Sequence, residues 1–146
     1  MLMLNKFFKS FHETKKANEN TFQSDLYNLV YEVIIADHEI SPEEIDLSSE
    51  LVEYYFQISK DTNKKEFLKL ADKQHFNTDL SQFTQRLKIS LSYEQRMDII
   101  LICWQVLMVD GIEDQLESST VRTLSTLLGL EDKDFILIRN RVKDSL

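Results

Sequence analysis

The sequence predicts an all-α fold: a single bundle of about seven helices containing two pseudo-symmetric helical hairpins. Three observations lead there. Only two Gly and one Pro punctuate 146 residues, too few for a turn-rich sandwich or barrel. Apolar residues recur at spacings of three and four along successive segments, with no sustained alternation. A helix–turn–helix pattern also occurs twice, its two aspartates, Asp37 and Asp110, 73 positions apart.

Taken in order, Thr21 or Asn20 is placed to cap a helix carrying Leu26, Leu29, Val30 and Val33 on one face. Ser41-Pro42-Glu43-Glu44 is a strong second start. Ser41 caps, Pro42 takes the first helical position where its missing N–H is harmless, and Glu44 suits a capping box. Ile45, Leu51, Val52 and Tyr55 carry that helix to about Ile58. Lys64–Lys73 reads as helical around Phe67, Leu68 and Ala71, and Leu80–Ile89 around Leu80, Phe83 and Leu87. Gln74–Asn77 reads as their connection, with Asn77 or Thr78 as the second cap. Ser92-Tyr93-Glu94-Gln95 repeats the capping-box logic ahead of Met97, Ile100, Leu101, Trp104, Leu107 and Met108. Val121, Leu124, Leu127 and Leu128 mark a further helix, which Gly129 terminates in the left-handed conformation. The last helix begins near Asp132 and carries Phe135, Ile138 and Val142.

Composition narrows the function classes. Two glycines, at 111 and 129, cannot form a phosphate-cradling loop or a dinucleotide turn. A single cysteine, Cys103, excludes an internal disulfide framework and a thiolate cluster, and points to a reducing cytosol. Cys103 sits in an apolar run and reads as a small hydrophobe. His12, His38 and His75 are too scattered in sequence for a transition-metal ligand set. The longest apolar run after the N-terminal segment, Ile99–Trp104, is too short to span a bilayer, so the chain is expected to be soluble and without a transmembrane segment. Nothing in these patterns calls for an enzyme.

Charge divides the chain. The 25 acids outweigh the 17 Lys and Arg, for a net −8, which argues against nucleic acid as a partner. Residues 1–16 run the other way, with Lys6, Lys9, Lys15 and Lys16 against Glu13. Residues 1–20 are therefore read as a basic amphipathic segment and 21–146 as the helical domain. Phe7, Phe8 and Phe11 beside Lys6 and Lys9 leave two uses for that segment: packing on its own domain, or peripheral contact with an anionic membrane through residues 1–16. From Glu32 to Glu53 there are eight carboxylates and no Lys or Arg.

In each copy of the repeat an apolar helix ends in an Asp, and a Glu follows seven residues later in the opening turn of the next helix: Asp37 with Glu44, and Asp110 with Glu117. Two explanations fit. A hard cation, Ca²⁺ or Mg²⁺, takes several oxygens gathered by a tight turn, and Glu39 can add to the first set. Alternatively, the Asp closes an Asx turn and the Glu complements the helix N-terminus. The EF-hand pattern is absent. Counting from Asp37, the sixth position is Pro42 and the twelfth Ser48; from Asp110 they are Gln115 and Val121.

Ile35-Ala36-Asp37-His38-Glu39-Ile40-Ser41-Pro42-Glu43-Glu44 and Met108-Val109-Asp110-Gly111-Ile112 with Glu117 resemble the doubled signature of the tellurite-resistance TerB family, an apolar helix running into Ala-Asp-Gly-x-Ile before an acid-rich helix start. Glu94-Gln95-Arg96 and Leu128-Gly129-Leu130 are similar too, so the resemblance covers roughly residues 22–143. His38 stands where the family has Gly, Val109 where it has Ala, and the second copy lacks the Ser-Pro-Glu-Glu start. The resemblance implies a bacterial, cytoplasmic, non-catalytic helical domain associated with tellurite and stress responses, and a protein partner. A similar domain fronts a membrane-anchored J-domain co-chaperone. It further implies Asp37, Glu39 and Glu44, with Asp110, Glu113 and Glu117, as divalent-cation ligands.

Overall fold

The computed structural model describes residues 22–36, 39–73, 80–109, 111 and 113–146. These form seven helices and no strand: α1 (22–34), α2 (Pro42–Phe56), α3 (Lys60–Asp72), α4 (Leu80–Ser90), α5 (Tyr93–Leu107), α6 (Gln115–Leu127) and α7 (Asp132–Asp144). The N-terminal basic segment, the expected caps at 20–21 and 77–78, the connection 74–77, and Asp37, His38, His12, His75 and Asp110 lie outside the described residues.

The expected caps hold where they are described. Ser41 Oγ accepts from the Glu44 N–H at 3.4 Å, with Pro42 at the first position of α2. At α5 the capping box is complete. Ser92 Oγ accepts from the Gln95 N–H, and Gln95 Oε1 accepts from the Ser92 N–H. Gly129, at φ +77°, closes α6 with Leu130 N–H bonded to Ser125 O and its own N–H to Thr126 O, a Schellman pair.

Two helix limits differ from the sequence expectation. α2 stops at Phe56 because Gln57 turns left-handed (φ 56°) while its N–H still reaches Glu53 O. α3 begins at Lys60, four residues early. Ser59 Oγ accepts from the Thr62 N–H, and Glu53 Oε2 accepts from the Lys60 N–H at 2.7 Å. The first cap is local, a serine three residues before its donor, and was a readable signal; the second comes from the preceding helix and has no local pattern.

α5 is buried nearly all round, with Ile99, Ile100, Ile102, Cys103, Trp104, Val106 and Leu107 inside, rather than on the single stripe its sequence suggests. It packs against α2, α4, α6 and α7. The sequence repeat is matched in the order of the helices. α1, α2 and α3 are followed by α5, α6 and α7 with their limits offset by 71 to 73 residues, and α4 is the helix without a counterpart. Arg86 of α4 grips the buried Asp25 of α1 in a two-pronged ion pair at 2.8 and 2.9 Å.

The two units differ at one equivalent buried position. In the first, Asn63 of α3 is fully buried and satisfied. Its amide donates to Ser49 O and Ile58 O, both at 2.9 Å, and its Oδ1 accepts from Tyr27 Oη at 2.6 Å. Burial, and then the charge of Glu66, push the Tyr27 phenol up to about 12, so it stays a donor. In the second unit the position corresponding to Asn63 is Phe135, whose ring lies 5.7 Å from that of Trp104. At this equivalent position one unit uses a buried hydrogen-bond network and the other an aromatic contact.

Candidate functional site

The two turns that carry the repeated acids enter α2 and α6. Their caps are equivalent though their residues differ. Ser41 caps α2, and 73 positions on, Asp114 caps α6, accepting from the Leu116 and Glu117 N–H groups at 2.9 and 3.1 Å. The missing Ser-Pro start of the second copy is thus replaced by an aspartate doing the same work. In each helix the third residue is the repeated glutamate, and both are buried, Glu44 at 7% and Glu117 at 5% exposure. A carboxylate there benefits from the helix N-terminal N–H groups and dipole.

The remaining candidates are placed differently. Glu39 is exposed just ahead of Ser41. Its exposed neighbour Glu43 accepts a hydrogen bond from Ser41 Oγ at 2.6 Å, which holds its carboxyl below the usual range. Glu113 is turned toward α7, where Lys143 Nζ lies at 2.5 Å and Arg139 at 3.3 Å. The Lys143 hydrogen bond, with Arg139 beside it, holds the Glu113 carboxyl low. Gly111, at φ +79°, has open space where a Cβ would stand, so conformation rather than crowding favours glycine there.

The structure also answers part of the acid run. Asp46 pairs with Lys60 at 3.2 Å and Lys64 at 3.9 Å, while Glu53 caps α3. Glu32 is half-buried on α1, and burial pushes its carboxyl up. Among the described residues no three His, Cys, Asp or Glu side chains gather as a metal-binding group; Asp37 and Asp110 are outside that set. Cys103 is buried, which pushes its thiol up to about 12 and leaves it unreactive.

Sequence reasoning missed the residues that join elements far apart in the chain. Tyr93, at the start of α5, accepts from the Glu131 N–H at 3.0 Å and donates to Asp134, so its hydroxyl ties down the N-terminus of the neighbouring α7. Arg96 of α5 donates to Leu128 O at the end of α6. Neither contact has a local sequence signal.

Two three-helix units, each entered through a capped turn with a buried glutamate three residues on, define a repeated all-α domain. Residues 23–140 match the family described as tellurite resistance protein TerB, and the chain belongs to that family. No curated protein and no solved structure matches it. Among the described residues, no helix is long and apolar enough to cross a membrane.

Proposed function

We propose that this chain is a non-catalytic TerB-family domain, associated with tellurite and stress responses, whose acidic turns bind a divalent cation, Ca²⁺ or Mg²⁺. One observation carries the reading: Glu44 and Glu117 are buried at the same helical position in both units. Each opens a helix directly after a turn that carries further acids, Asp37 and Glu39 in the first copy and Asp110 and Glu113 in the second, and a hard cation takes several such oxygens. The first-turn ligands are Asp37, Glu39 and Glu44, and the second-turn ligands Asp110, Glu113 and Glu117. Lys143 and Arg139 compete for Glu113, so the first turn is the stronger site.

The test is thermal unfolding of the full chain with and without Ca²⁺, Mg²⁺ and Zn²⁺. A ligand at about 100 times its Kd adds about 2.7 kcal/mol, which raises the Tm by several degrees at this size. Ca²⁺ or Mg²⁺ should give that rise, and Asp37→Ala or Glu44→Gln should abolish most of it. Unchanged melting with every cation sinks the metal reading.

A second reading, a metal-independent adaptor offering an acidic surface to a protein partner, is favoured by the outer face of α2. Glu43, Glu50 and Glu53 are exposed there beside Tyr54, which is 73% exposed. A partner captured equally well in EDTA and in Ca²⁺, and lost with Tyr54→Ala, would select it.

A further inference from the structure

Helix α7 has a second, outward face. Phe135, Ile138 and Val142 point into the core, while Lys133, Ile136, Leu137, Asn140, Arg141 and Asp144 are all exposed. Those six sit at the spacing of one continuous helical stripe. Ile136 and Leu137 are large apolar side chains left 46% and 51% exposed at its middle. Beside them runs an open groove of about 450 Å³, lined by Leu137, Asn140, Arg141, Asp144 and Ser145.

The order of charge along this stripe identifies what fits it. Lys133 stands at one end and Asp144 at the other. An identical helix laid antiparallel, with a twofold axis between Ile138 and Arg139, sets Lys133 opposite Asp144 of the second copy at both ends. Leu137 then meets Asn140, and Ile136 lies under the aliphatic stem of Arg141. A parallel arrangement would instead oppose like charges at both ends. Arg141 and Asp144 form no ion pair among the described residues. The one Lys133 makes, to Glu131, joins two exposed side chains and is easily given up.

We propose that the chain self-associates as an isologous dimer through antiparallel α7 helices. A single-helix stripe buries less than the roughly 800 Å² per partner of a standard interface, so the dimer is weak. The net charge of −8 on each copy opposes it further.

Sedimentation equilibrium of the full chain, from about 10 to 500 µM at physiological salt, tests this. The average mass should rise from the 17.3 kDa monomer toward twice that value. Lys133→Glu and Asp144→Lys should each weaken association about tenfold, since each places two like-charge contacts across the axis. Both changes complement the helix dipole, so neither should lower the Tm. Mixing the two variants in equal amounts should restore the wild-type constant. The new acid of one then faces the new base of the other, while native Lys133 and Asp144 pair at the opposite end. Leu137→Glu should abolish association with the fold intact. A wild type that stays monomeric throughout, single variants that associate like the wild type, or a mixture that fails to recover would each overturn the proposal.

Discussion

Glu44 and Glu117 occupy the same place in two helices 73 residues apart, each three positions after a side-chain cap and each buried. Ser41 and Asp114 meet the capping requirement themselves through N–H groups of the first turn. It is the burial of these glutamates, repeated in the opening turn of both helices, that makes the turns a candidate site.

The Asn63 network predicts a large stability loss on truncation. Asn63→Ala strips partners from Tyr27, Ser49 and Ile58 in the interior. Leaving buried polar groups unpaired costs about 1–3 kcal/mol each, so a total loss of about 3 kcal/mol is expected in urea unfolding. Phe135→Leu, at the corresponding position of the second unit, should cost less, about 1–2 kcal/mol, because it alters ring contacts with Trp104 and Arg122 and leaves no buried polar group unpaired.

Gly129 and Gly111 share a positive φ but differ in surroundings. A Cβ at Gly129 would stand 2.8 Å from Lys88 Cε, whereas at Gly111 it meets nothing. Both Ala variants should lose about 1 kcal/mol from backbone strain, with Gly129→Ala the larger because Lys88 must also move. Gln57→Gly, at φ 56°, should change stability in the opposite direction by up to about 1 kcal/mol.

Arg86→Ala should leave Asp25 buried without its two-pronged partner. Breaking a fully buried pair costs about 3–5 kcal/mol; because Arg86 is 44% exposed, about 2 kcal/mol is expected by chemical denaturation. Asp25→Asn with Arg86→Ala should recover part of that loss.

Two carboxylates should move acid stability in opposite senses. Glu113 is held low by Lys143 and Arg139, so its contribution is present above the unfolded-state value and disappears as pH falls through the folded value. Glu113→Gln should flatten the acid limb of the stability profile. Burial raises Glu32, so its ionisation opposes folding as pH climbs past the unfolded value. Glu32→Gln should stabilise the protein at neutral pH and leave it unchanged well below pH 4. Urea midpoints of both variants across pH check the signs.

Local chemistry was readable from the chain, and contacts made at a distance were not. Ser41, Ser92, Gly129 and the face of α7 carrying Phe135, Ile138 and Val142 announce themselves because cap, stop and stripe are written within a few residues. The early start of α3 depends on Glu53, the N-terminus of α7 on Tyr93, and the seating of α4 on Asp25. These partners lie on different helices and leave no local pattern; only Ser59, which also caps α3 through the Thr62 N–H, was a local signal that sequence reasoning passed over. At the candidate site, the spacing of Glu44 and Glu117 was legible, and their burial, which sets them apart from the exposed Glu43, was not. The cations facing Glu113 were hidden for the same reason: Arg139 and Lys143 are 26 and 30 residues away.

The most direct test of the account is calorimetric titration of the metal-free full chain with Ca²⁺ and with Mg²⁺, repeated on Glu44→Gln and Glu117→Gln. The account predicts saturable binding of at least one cation per chain, weakened about tenfold or more by Glu44→Gln and less by Glu117→Gln. No heat of binding from either cation, or a binding isotherm unchanged in both variants, would contradict it.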